Sequence, residues 1–299
     1  MCARRPRHAD RKRPLATSRN RQFCICGKHA AARPRPRART FSRLSPLRFG
    51  VVKRVLLVLC TLTWWVLPGM GVIDLTVTWD PSWPVLLEAG WGALLTVGLG
   101  LPFLVAAVRP RVARAALVQV YAVTAALFVG ALVGREPQTW WLFVMIAIEV
   151  PLLHLTARGT PLGTFSFSPV LCFLGLIAMA PALSYAWDMA AANRLSLVTS
   201  DITNDTDHYA VQAAVGLTLV ALPLVASLWP TTRRLLGSST ALMAAYLGLL
   251  SYSWPDAEAG FSQTWSVAVM VWAGAIGLST WWPSRRRTAP ASPTTAAAP

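Results

Sequence analysis

The sequence predicts an all-α, polytopic integral membrane bundle of about eight transmembrane helices, with both termini cytoplasmic. Three observations predict it. Hydrophobic residues make up 55% of the 299 positions and charged residues only 13%, where a soluble domain carries about 25% charged. Apolar stretches recur down the chain, each near the ~20 residues that cross ~30 Å of hydrocarbon at ~1.5 Å per residue. The short loops between them are sorted by the sign of their charge, as the insertion of successive membrane helices demands.

The first span covers about 55–73, and the second about 84–108, closed by Arg109, Arg111 and Arg114. The third covers about 115–133. The fourth starts at Thr139 and ends near Arg158. The fifth covers about 166–187, the sixth His208 to about Trp229, the seventh about 235–253 and the eighth about 263–282. One set of loops carries Lys53, Arg54, Arg109, Arg111, Arg114, Arg158, Arg233, Arg234 and Arg285 to Arg287, with no acid. The other set carries Asp74, Asp80, Glu136, Asp188, Asp201, Asp205, Asp207, Asp256 and Glu258, with only Arg135 and Arg194. Basic loops stay inside, so the first set is cytoplasmic. Removing or adding one span would scramble the sorting. Trp79, Trp83, Trp140, Trp141, Trp187, Trp254 and Trp265 gather at the outer boundary, and Trp229, Trp281 and Trp282 at the inner one, the depth that amphipathic rings prefer.

The membrane domain is 51–283, flanked by tails. The formal net charge of +16 belongs almost entirely to residues 1–50, which hold 15 Lys/Arg against Asp10 alone. This Arg/Pro-rich segment lacks apolar periodicity and buries too little to fold alone. It reads as a cytoplasmic tail touching anionic lipid, as a nucleic-acid-binding run, or as an upstream extension of a true start near Val51 or Val52 in a GC-rich bacterium. The third reading is favoured, and no specific nucleic-acid partner is expected. Residues 284–299 form a Pro/Ala/Thr tail. The basic start, the apolar run and Pro68-Gly69-Met70-Gly71 resemble a signal peptide, but no small-x-small cleavage site follows. Cys60 and Cys172 lie within apolar runs, as small hydrophobes. Cys24 and Cys26 with His29 lack a second ligand pair at zinc-finger spacing.

Chemistry concentrates where charge enters the hydrocarbon, because such groups are costly and face a bundle interior or a wet cavity. Glu149 lies ten residues into the fourth span, about 15 Å deep, at the midplane. Pro151 follows it, and His154 lies one turn further in. On a straight helix Glu149 and His154 stand about 140° apart, and a kink at Pro151 would bring them closer. A desolvated carboxylate and a histidine together suit a proton relay or a cation site. Glu88 enters only four or five residues into the second span, so it reaches the outer interface, solvated or paired with Arg135 or Arg194. With Asp207 and His208 it would line an outer vestibule. Gln119, Tyr121 and Thr124 read as interhelical glue. The longest external loop, 188–208, ends in three carboxylates, Asp201, Asp205 and Asp207, beside His208. Their alternation mimics the start of a calcium loop, without its glycine or its closing Glu. These four are weak metal candidates, and helix capping explains Asp207 without a metal.

No Gly-rich phosphate loop, HExxH, GxSxG or CxxC is present, and no cofactor is expected. Two functions follow. The first is a small-solute or proton-linked transporter of the cytoplasmic membrane, with Glu149 and His154 as its midplane site. The second is a non-catalytic membrane subunit or assembly factor that meets a membrane or extracytoplasmic protein through its acidic loop. The lipid bilayer is a partner in both.

Overall fold

The computed structural model describes residues 46–80, 84–195, 202–203 and 206–281. The tail assigned to 284–299 and all but the last five residues of that assigned to 1–50, with Cys24, Cys26 and His29, lie outside the described residues, as do Asp201 and Asp205; residues 46–50 open the first helix instead. The described residues are mostly helical, and their strands are a two-residue antiparallel ladder, β1 (Ile202–Thr203) with β2 (Thr206–Asp207). Seven helical segments among the described residues are long and apolar enough to cross a membrane. Helix is the structure that lets such a segment satisfy every backbone polar group without water.

The opening segment departs from a single straight span. Helix α1 (Pro46–Trp65) starts nine residues before the predicted 55 and stops at Trp65, and α2 (Gly71–Val77) follows after a break. Pro68 cannot continue a helix, and Gly69 and Gly71 weaken one. Trp65 Nε1 and Trp91 Nε1 pin the two sides of the break, donating to the carbonyls of Thr96 and Gly69. Gly71 is required there: a Cβ would lie 2.6 Å from Thr96 Oγ1.

The second spanning segment, Val85–Val108, is α3 (Val85–Ala93), a π-helical stretch Leu94–Gly100, and α4 (Leu101–Val108). Pro102 explains the change of winding. It has no N–H to offer the carbonyl four or five residues back. Those carbonyls, of Gly98 and Val97, both accept from Gln119 Nε2, at 3.2 and 2.9 Å. Ser239 completes Gln119 by donating to its Oε1, so the expected glue joins three helices.

Then come α5 (Ala113–Gly134), α6 (Trp140–Ala157), α7 (Pro169–Leu195), α8 (His208–Leu228), α9 (Pro230–Ser253) and α10 (Gln263–Trp281). Helix α7 runs eight residues past the predicted 187. Its last turns, Met189-Ala-Ala-Ala-Asn-Arg-Leu195, are mostly good helix formers, so the external loop is shorter than its sequence suggested. Helix α9 begins five residues early, with Pro230 at its first position, where a missing N–H costs nothing.

Helix α8 is buried along most of its length and packs on α3, α5, α7 and α9. Helices α6, α7 and α10 leave most of their apolar surface exposed, including Ile148, Phe173 and Val271. Helices that are apolar all round yet uncovered are the mark of a lipid-facing rim. Hydrogen bonds from Arg114 to Thr160 and from Thr231 to Leu162, with one from Arg233 to Ser166, gather the arginine-bearing connections at one end. Asn193 links Gly134, Glu136 and Ala210 at the other end.

Candidate functional site

The break between α1 and α2 lets α2 fold back onto α3. Asp74 sits in the first turn of α2 and Glu88 in the first turn of α3. Asp74 was counted with the outer loop acids, yet it is only 4% exposed, and Glu88 only 2%. Glu88 is therefore not solvated as expected, and among the described residues no ion pair joins it to Arg135 or Arg194. Arg194 donates to the Val133 carbonyl and lies over the Trp187 ring. Arg135 turns the chain at the end of α5 with φ 61°. The short α2 covers Glu88 instead, and sets the Asp74 carboxyl close enough to Glu88 for the two to interact. Two carboxyls so placed resist being ionised together.

His208, the first residue of α8, is fully buried. Its Nδ1 lies 3.7 Å from Glu88 Oε1. Its ring stacks on Trp91, one turn after Glu88 on α3, with centroids 4.4 Å apart and planes at 24°. One turn further along α8, Gln212 Nε2 donates to the Tyr185 hydroxyl at 2.6 Å, and that hydroxyl donates to the Ala259 carbonyl. Gly90 makes this meeting possible, because a Cβ there would lie 1.4 Å from Gln212 Oε1. Asp74 Oδ2 and Gln212 Oε1 are buried without a hydrogen-bond partner among the described residues. Two carboxyls and an imidazole thus share a buried space bounded by two helix starts and an indole face. No group of three or more His, Cys, Asp or Glu among the described residues is arranged to hold a metal ion.

Glu149 occupies a separate site. It is 8% exposed on α6 and faces α1. Trp64 Nε1 donates to its Oε2 at 2.6 Å, and Thr63 Oγ1 lies 2.5 Å from its Oε1. Thr63 Oγ1 also lies 2.7 Å from the Cys60 carbonyl. Thr63 Oγ1 thus faces two acceptors, Glu149 and the Cys60 carbonyl, with one proton to give, and a proton on Glu149 would satisfy both contacts at once. His154 bonds elsewhere, to the Tyr121 hydroxyl on α5, and both of those side chains are exposed. Pro151 stays within a continuous α6, which sends Glu149 toward α1 and His154 toward α5.

Asp207 ends β2, its backbone paired with Ile202 just ahead of His208; its side chain, like all of Asp201 and Asp205, lies outside the described residues. Asp74 is the site residue that sequence reasoning missed. Its signal was a lone acid in the apolar run Val72-Ile-Asp-Leu75 beyond a Pro-Gly break. Comparison of the chain with protein-family models, with curated proteins and with solved structures finds no match.

Proposed function

We propose that this chain is a proton-linked membrane transporter of a small solute, whose exchangeable proton resides on the Asp74–Glu88–His208 cluster. The observation that carries the reading is that cluster: two adjacent carboxyls and an imidazole, all buried, where a broken first helix meets α3 and α8. Buried ionisable groups within a membrane bundle mark proton and ion pathways, and broken helices frame the binding sites of many transporters. A carboxyl pair holds one proton between two oxygens, and a neighbouring imidazole accepts or returns one near neutrality. Glu149, carrying its own proton, latches α1 to α6 and so holds the break in place. Helices α1 and α2 together form the first of eight spans, with the basic loops and both termini in the cytoplasm of a bacterial cell.

Proton uptake tests the reading. The purified full chain in neutral detergent is moved from alkaline to acid pH against an indicator dye. The wild type is expected to bind protons that Glu88→Gln and Asp74→Asn do not. In proteoliposomes, a solute screened for uptake under an imposed proton gradient should enter with wild-type protein and not with Glu88→Gln. Equal proton uptake by all three proteins removes the cluster as the exchanging site.

A further inference from the structure

Helices α7 and α10, with residues 260–262 and part of α8, line a groove of about 590 Å³. That volume suits a compact organic molecule. Its walls are apolar and aromatic: Phe261, Trp265 and Trp272 on one side, Pro181 and Tyr185 on the other. Tyr185 and Phe261 pack with centroids 5.0 Å apart. Trp272 is fixed by a bond from its Nε1 to the Leu174 carbonyl, so its ring is held in place rather than free to fill the space. One acid, Asp188, stands in the lining. It is exposed and makes no ion pair among the described residues. Arg194, the nearest base in sequence, is occupied by the Val133 carbonyl and the Trp187 ring.

We infer that this groove binds a lipophilic organic cation, a compact apolar body bearing one delocalised or quaternary positive charge. The charge would sit by Asp188 and the aromatic faces, which attract cations through their ring quadrupoles. The body would replace lipid against α7 and α10, the two most lipid-exposed spanning segments among the described residues. A neutral acyl chain would use the walls and leave Asp188 unanswered. An anion would meet that carboxylate at close range and be repelled. The floor of the groove is Tyr185, whose hydroxyl accepts from Gln212, one turn from His208. The groove and the buried cluster therefore share a hydrogen-bonded wall. Binding at the groove needs no proton movement at Glu88, so it stands or falls separately from transport.

The test uses two ions of nearly the same shape and opposite charge, tetraphenylphosphonium and tetraphenylborate. Each is brought to equilibrium by dialysis against the full-length protein in neutral-detergent micelles, with protein-free micelles as the background. Saturable binding of the phosphonium and none of the borate is expected. Asp188→Asn should weaken phosphonium binding about fivefold, the scale of an exposed charge pair. Ala268→Trp, which fills the groove from α10, should abolish it. Glu88→Gln should leave it unchanged, even where proton uptake is lost. Absence of saturable phosphonium binding, equal binding of both ions, or unchanged affinity in Asp188→Asn would each overturn the inference. Asp188 is exposed, so that variant tests the groove even where Ala268→Trp does not fold.

Discussion

Among the described residues the bundle holds acid in two buried places, and they are built on opposite plans. At Glu149 each carboxyl oxygen has one partner, both on α1 and neither of them an acid or a histidine. At Asp74 and Glu88 the partners are themselves titratable, and Asp74 Oδ2 has no hydrogen-bond partner among the described residues. A fully satisfied polar group rigidifies a core, whereas one that shares its proton with other ionisable groups can change state. Depth in the membrane, the criterion that nominated Glu149, does not separate these plans. Saturation of hydrogen bonds does.

The largest expected effect breaks the second site outright. Gly90→Leu would drive a side chain into Gln212, overpacking by about 1–3 kcal/mol or more and severing the Gln212–Tyr185 bond for about 1 kcal/mol more. A sharp drop in melting temperature in detergent is expected. Wild-type melting would mean that α3 and α8 do not meet as described, and the Glu88–His208 pairing would fall with them. Next comes Glu149→Ala, which strands the buried Trp64 N–H at a cost of about 1–3 kcal/mol. The same melt reads it, and no loss would show that α1 needs no latch. Glu149→Gln sharpens the comparison further. An amide can donate to Thr63 and accept from Trp64 as the protonated acid does, so stability should change by less than about 1 kcal/mol and proton uptake should stay intact. Glu88→Gln should also fold, but it should lose uptake. Identical uptake in these two variants would erase the distinction between the sites. The smallest effect belongs to Tyr121→Phe. Tyr121 is 46% exposed, so loss of its bond to His154 should alter the melt by about 0.5 kcal/mol or less.

What was legible in the sequence was whatever depends on period, length and sign. Apolar length located the seven described segments long enough to cross a membrane, and proline and arginine marked most of their ends. Helix α7 overran because Asp188 looked like a boundary, whereas the alanines after it carry the helix on. The break after Trp65 was visible as Pro68 and Gly69, but not its consequence, because a chain's local signals do not say where the next segment packs. That consequence is what buries Asp74 and covers Glu88. For Glu149, sequence showed the depth and the proline but not Thr63 and Trp64, which lie more than 80 positions away and make it a bonded residue. Long-range pairing of this kind has no periodicity to betray it.

The π-helical stretch Leu94–Gly100 acts as a phase shifter. A helix that must present Glu88 and Trp91 to α8 at one end, and pack its other half on α1, needs two facings that one uniform winding does not supply together. The wider turn provides the offset. Deleting a single residue within it would restore an even α-helical pitch. Winding the same residues evenly, with none removed, would instead rotate the first half about 100° relative to the second, carrying Glu88 and Trp91 away from His208 while every one of those residues remained in the chain.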